Sequence, residues 1–206
     1  WINGQYVGFS KNSRNTANFN ITPYLQKGKN TVAAEVYRSS DGSFLEAQDM
    51  FRLPGIFRTV ALYSVPKVHF RDLVATPDLD VTYTDGSLTV NAEIRNLDKK
   101  AIKDYKVYYS LYANKLYSDE NTLVDGFLSP VIDKIAPNET GSVQTVLKVK
   151  APNKWSAEFP YRYTLVAELK DKKNRTVEMV STIVGFRKVE IKDTPASEDE
   201  FGLAGR

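Results

Sequence analysis

The sequence predicts an all-β fold in two parts, a short incomplete β unit followed by an immunoglobulin-like sandwich. Three observations carry this. Apolar and polar residues alternate at a period of two along most of the chain. Clusters of Asn, Asp, Gly and Pro recur between the alternating runs, where turns are needed. No helical period of useful length occurs anywhere.

The first part opens on Trp1-Ile2-Asn3-Gly4-Gln5-Tyr6-Val7-Gly8, an Asn-Gly pair between two short apolar runs. Asn and Gly both tolerate the positive φ of a type I′ turn, so this is a hairpin signal. Thr31-Val32-Ala33-Ala34-Glu35-Val36-Tyr37 reads as a strand, and Ile56-Phe57-Arg58-Thr59-Val60-Ala61-Leu62-Tyr63 as another. Between them a loop rich in Ser, Asp and Gly runs from Arg38 to Pro54, and Pro66 closes the segment. Four or five strands in so short a stretch make a thin core. Residues 1–66 are therefore expected to be part of a larger β domain and to leave apolar surface uncovered.

From Lys67 onward strands are expected near 68–75, 87–95, 103–113, 141–150, 161–170, 176–184 and 186–191. Leu88-Thr89-Val90-Asn91-Ala92-Glu93-Ile94 shows the alternation in full. Turns are expected at Thr84-Asp85-Gly86, Asn96-Leu97-Asp98, Pro137-Asn138-Glu139 and Asp171-Lys172-Lys173-Asn174. Seven or so short strands at this spacing are the signature of an immunoglobulin-like sandwich over 67–192. Residues 193–206 are acidic and proline-containing, and read as a linker.

Composition narrows the function classes. The 206 residues include no cysteine, which excludes disulfide scaffolds, thiolate metal sites and cysteine nucleophiles. The net charge of +3 is spread over interspersed signs rather than gathered on one basic stretch, which argues against nucleic acid. No apolar run approaches the roughly 18 residues a membrane-spanning helix needs. His69 is the single histidine and sits in an alternating stretch, Val68-His69-Phe70-Arg71, so it reads as a half-exposed strand residue. Gly-x-Ser-x-Gly, Gly-x-Gly-x-x-Gly and Walker patterns are absent, as is any pair of closely spaced histidines.

The chemically dense stretch is Arg38-Ser39-Ser40-Asp41-Gly42-Ser43-Phe44-Leu45-Glu46-Ala47-Gln48-Asp49-Met50-Phe51-Arg52. Asp41, Glu46 and Asp49 place three carboxylates beside aromatic rings, and paired carboxylates are what glycoside hydrolysis requires. Arg38, Arg52 and Arg58 could equally neutralise these acids in a structural network. Spacing alone leaves both readings open.

The run from Trp1 to Ser10, with Ser13-Arg14, Ala17 to Leu25 and Gly28 to Thr31, resembles the sugar-binding domain of glycoside hydrolase family 2 β-galactosidases. Arg38 to Glu46 and Gln48 to Arg58 are similar to that family's most recognisable stretch. Trp155-Ser156-Ala157-Glu158, Pro160-Tyr161-Arg162-Tyr163 and Val184 to Ile191 are similar to the end of the immunoglobulin-like domain that follows it. The resemblance implies a partial jelly-roll β-sandwich in 1–66, the immunoglobulin-like β-sandwich in 67–192, and a linker in 193–206 toward a catalytic barrel not contained here. It further implies a parent that hydrolyses terminal β-galactosides with retention, using two glutamates that lie beyond residue 206. No catalytic residue is expected within the chain.

Asp41 matches the aspartate of the family's Ser-Asp-Gly-Ser motif, which contacts the galactose and helps hold a sodium ion. The resemblance thus implies a substrate-binding and metal-ligating role for Asp41, and loop-bracing roles for Glu46, Gln48, Asp49 and Arg58. Sodium and magnesium are implied for the parent, with no cofactor in this chain. Departures stand at Ser39, where the family has Trp, and at Ala47, Phe51 and Pro54, where it has an acidic residue, Trp and Ser. Two alternatives remain open at this point: a stand-alone carbohydrate-binding or adhesion module, and a parent that is a β-glucuronidase or β-mannosidase. The expected partners are the β-galactoside substrate and the barrel of the same chain, with neither nucleic acid nor membrane. A homo-oligomeric parent is compatible with the resemblance, and the compartment stays open between bacterial cytoplasm and periplasm.

Overall fold

A computed structural model describes residues 1–12, 15–45 and 54–191. The chain divides into two compact units, Trp1–Tyr63 and Ser64–Arg206. The expected linker, 193–206, lies outside the described residues.

In the first unit Asn3 and Gly4 take positive φ, 51° and 79°, as a type I′ turn demands. Ile2 and Gln5 exchange both backbone hydrogen bonds at 2.9 Å, so the expected hairpin turn is present. Asn3 also reaches beyond its turn. Its amide donates to the Tyr24 carbonyl (2.9 Å) and to Asn30 Oδ1 (2.8 Å), while its Oδ1 accepts the Thr31 N–H (2.9 Å). Ile2, on the turn's inner side, is buried.

The strands expected at 31–37 and 56–63 do not form. Among the described residues the first makes a single bridge, Val32 to Ile2, and the second makes none. A strand extends only as far as a neighbour takes its N–H and C=O groups: Thr31 and Ala33 bond to the backbone of Trp1 and Asn3, but beyond Ala33, and throughout 56–63, no backbone partner occurs among the described residues. Their apolar side chains stay in solvent: Val32, Tyr37, Val60 and Leu62 are each at least 70% exposed.

The second unit is the sandwich. Its seven strands are β1 (Val68–Leu79), β2 (Gly86–Asn96), β3 (Lys106–Asn114), β4 (Asn121–Leu128), β5 (Thr140–Val149), β6 (Tyr163–Lys170) and β7 (Thr176–Val184). They form two antiparallel sheets, ordered β1-β2-β5 and β4-β3-β6-β7. The central strands bury every second residue, as the alternation requires: Leu88, Val90, Ala92 and Ile94 on β2 face Val107, Tyr109 and Leu111 on β3 and Leu165, Ala167 and Leu169 on β6.

Three details differ from the sequence expectation. β4 was not foreseen, because as an edge strand with almost no buried side chain it carries no alternating pattern. It pairs with β3, which gives sheets of three and four strands. The expected strand at 186–191 is replaced by one parallel bridge, Phe186 to Lys154. Phe186 is fully buried, yet Val189 and Ile191 point to solvent, so the alternation there has no face to cover. β1 runs past Ala75 through Pro77, which an edge strand tolerates because the missing N–H needs no neighbour.

Asn96, at the end of β2, is the buried polar hub of this unit. Its amide nitrogen donates to the carbonyls of Lys100 (2.9 Å), Ile135 (3.1 Å) and Ala136 (3.2 Å), and its Oδ1 accepts the Asp98 N–H (2.9 Å). One side chain thereby ties the turn after β2 to the loop before β5.

Candidate functional site

The segment carrying Asp41 folds as one tight turn. The Ser43 N–H donates to the Ser40 carbonyl (3.0 Å) and the Phe44 N–H to the Asp41 carbonyl (3.3 Å), starting a single helical turn, α1 (Gly42–Leu45). Two side chains lock its entrance. Ser43 Oγ accepts the Ser40 N–H (2.9 Å), and Asp41 Oδ1 accepts the Gly42 N–H (3.0 Å). Ser, Asp and Gly suit such a turn because their short polar groups satisfy nearby backbone donors. Phe44 and Leu45, at the end of α1, are more than 80% exposed.

Asp41 Oδ2 receives the Lys11 ammonium at 2.7 Å, a short charge-assisted bond. That bond, the Gly42 N–H and the Lys11 charge hold the Asp41 carboxyl below its ordinary pKa of 3.8. Asp41 is therefore an anion at neutral pH. Each of its oxygens has one donor and one further lone pair, so it can still accept from a ligand. Lys11 was not singled out from the sequence; it lies thirty residues before Asp41 and belongs to no recognisable pattern.

Glu46, Gln48 and Asp49 lie outside the described residues. Arg58 is exposed, with its guanidinium 5.8 Å from the centre of the neighbouring Phe57 ring. Among the described residues the partners of Asp41 are Lys11 and Gly42, and Arg58 is not brought to it. His69 is a half-buried residue of β1 whose Nδ1 lies 2.9 Å from the Pro66 carbonyl, in keeping with the strand reading.

Asp41 offers one exposed carboxylate that already carries an ammonium, and among the described residues no group of three His, Asp or Glu side chains could hold a metal ion.

In the sandwich, Trp155 stacks under the Arg187 guanidinium at 5.0 Å and borders an open groove with Asn114, Tyr117, Arg162 and Thr164. No helix among the described residues is long and apolar enough to cross a membrane.

Comparison with known proteins gives this geometry its context. Residues 1–66 match the sugar-binding domain of glycosyl hydrolases family 2, and residues 68–187 match a second domain of glycosyl hydrolases family 2. A β-galactosidase of Priestia megaterium is 43% identical over 193 residues, which is 94% of this chain and 18% of that protein. A β-galactosidase of Photobacterium profundum is 41% identical over 197 residues, again 94% of this chain and 18% of the relative. The chain thus spans less than a fifth of the length of the curated relatives it matches. Among solved structures, a β-glucuronidase of Bacteroides uniformis superposes with a TM-score of 0.78 at 23% identity, covering 91% of this chain and 23% of that one, a likeness of fold. Because the match to the second domain alone extends over more than half of the residues, the chain belongs to glycosyl hydrolase family 2.

Proposed function

We propose that this chain is the sugar-binding and immunoglobulin-like segment of a longer retaining β-galactosidase that hydrolyses terminal β-galactosides. The observation that carries this reading is the identity of about 40% with curated β-galactosidases across nearly the whole chain. Residues 1–66 contribute the remnant of a jelly-roll domain, 67–192 a sandwich scaffold, and 193–206 the linker toward the catalytic barrel. Both catalytic glutamates lie outside these 206 residues, so the chain by itself turns over no galactoside.

Within this reading Asp41 is the substrate contact. Its carboxylate is ionised, exposed, held rigidly by Gly42 and Lys11, and keeps free lone pairs for sugar hydroxyls. Glu46, Gln48, Asp49 and Arg58 brace the loop that presents it.

The test is to express the longer reading frame beside the 206-residue chain and to assay both with nitrophenyl β-galactoside, β-glucuronide and β-mannoside. Galactoside turnover by the longer protein alone is expected. Preference for the glucuronide or mannoside would refute the substrate assignment. Turnover by the short chain, lost on Asp41→Ala, would refute the assignment of the catalytic groups.

A further inference from the structure

We infer that the outer face of the four-stranded sheet β4-β3-β6-β7 is the surface on which the catalytic barrel of the longer chain docks, an assignment that rests on reading this chain as a segment of that protein. An antiparallel sheet whose outer face meets water carries polar residues there. This face is apolar instead. Tyr108 on β3 pairs with Leu128 on β4, and the same row ends on Met179 of β7. Tyr112 pairs with Leu123, its row ends on Ile183, and Val166 stands between the two rows. Leu123, Leu128, Met179 and Ile183 are between 48% and 59% exposed. Contiguous apolar surface of this kind marks an interaction site.

Three further observations fit a covered face. The outer face of β1-β2-β5 is polar, with Thr76, Thr89, Asn91, Glu93 and Gln144 among its members and Val74 and Val146 as its apolar ones, so the apolar face belongs to one sheet and not to the sandwich as a whole. The charged residue within the apolar rows, Glu168, is already met by the Lys170 ammonium (3.0 Å) and the Thr176 hydroxyl (2.9 Å), and the ion-paired side chains are only 20% and 18% exposed. A cover would therefore strip water from no unpaired charge. A side chain at Gly126 would collide with the Tyr108 hydroxyl, so the tyrosine ring reaches over β4 along the sheet rather than standing up from it. The occupant is argued from topology and length. β7 carries Met179 and Ile183, and an open groove lined by Pro77, Trp155, Ile183 and Val189 continues the apolar surface into the stretch before the expected linker. The first unit instead enters the sandwich through β1, in the other sheet. The chain spans 18% of the curated relatives' length, which leaves ample chain to cover the face.

The experiment is hydroxyl-radical footprinting, read by mass spectrometry, of the 206-residue chain and of the longer protein. Labelling of Leu123, Leu128, Met179 and Ile183 is expected to be about fivefold slower in the longer protein, while Val74 and Val146 on the other face change by less than about twofold. Equal labelling of the apolar face in the two proteins overturns the inference. Protection that grows with the concentration of the 206-residue chain, and is no greater in the longer protein, assigns the face to a second copy and overturns it as well.

A double variant, Met179→Lys with Ile183→Lys, gives a second readout. Both side chains are more than half exposed, so the urea midpoint of the 206-residue chain is expected to stay unchanged. In the longer protein the same pair is expected to raise the rate of protease cleavage in the linker about tenfold, with Val146→Lys as the silent control. An unchanged cleavage rate overturns the inference, and so does a rise equal to that of Val146→Lys. Footprint and turnover are separate readouts: protection without galactoside hydrolysis refutes the galactosidase reading and leaves the docking face, whereas hydrolysis without protection does the reverse.

Discussion

Replacing Asn96 with Ala isolates what one buried amide does for the sandwich. The side chain is fully buried and makes four contacts with backbone groups, so its loss leaves some of those groups without partners. Not all of them are orphaned. The Ile135 carbonyl also accepts the Ile102 N–H, and the Ala136 carbonyl also accepts the Glu139 N–H. The Lys100 carbonyl and the Asp98 N–H are therefore the groups most exposed to the loss, and each costs about 1–1.5 kcal/mol when its bond is removed. A small cavity at a buried position adds about 1 kcal/mol, for a total of about 3 kcal/mol. For a domain of this size that corresponds to a fall in Tm of about 10 °C. Equilibrium urea unfolding followed by far-ultraviolet circular dichroism reads it directly, because every named strand lies in the sandwich. Asn91→Ala is the control, since its amide oxygen accepts from Gln144 on the outer face. Asn96→Asp is a sharper probe: it keeps the acceptor for the Asp98 N–H but turns an anion toward three carbonyls. The buried carboxyl then titrates above its unfolded value, so the variant is at least as unstable as Asn96→Ala at neutral pH and recovers as pH falls. A loss for Asn96→Ala no larger than for Asn91→Ala would refute the hub argument.

Three further outcomes follow from other parts of the molecule. Burial pushes the Tyr109 phenol up to about 12, and neither its hydroxyl nor the nearby Thr145 hydroxyl has a well-formed hydrogen bond, so Tyr109→Phe is expected within about 1 kcal/mol of the parent in urea unfolding. Tyr109→Ala, which also empties the stack on Phe127, is expected to cost about 3–5 kcal/mol; a similar loss for both variants would show the hydroxyl to be bonded after all. The Lys170 ammonium and the Thr176 hydroxyl hold the Glu168 carboxyl below its ordinary value of 4.5. A depressed folded pKa means that its stabilising contribution is present above the unfolded value and is lost as pH falls through the folded one, so Glu168→Gln should flatten the acid limb of the urea midpoint between neutral pH and about pH 3. In the longer protein, Asp41→Ala is expected to raise KM for the galactoside at least tenfold, with Asp41→Asn intermediate because the amide keeps one acceptor oxygen; unchanged KM in both would remove Asp41 from the substrate site.

Much of the sandwich was legible because its central strands obey a local rule. In β2 and β6 every second residue is buried, so hydrophobic alternation and fold coincide. β4 was not legible for the same reason in reverse: Leu123, Val124 and Leu128 are all substantially exposed, and only pairing with β3 makes the segment a strand. Asn96 was read as a turn residue, and its turn is real, but nothing in Asn96-Leu97-Asp98 indicates that the amide reaches carbonyls near residue 136. The hairpin at Asn3-Gly4 could be read because the positive φ requirement is local to two residues. That Asn3 would also hold Tyr24, Asn30 and Thr31 could not be, because no spacing rule links residues so far apart.

The same distinction explains why half of the Asp41 pair was foreseen. Asp41 sits in a contiguous run of Ser, Asp, Gly and Ser, whose short side chains dictate a tight turn and leave one carboxylate outward. Its counter-charge comes from elsewhere, through a lysine in a segment with no turn or strand signal of its own. A contiguous motif can specify an acceptor, but it cannot specify which cation meets it.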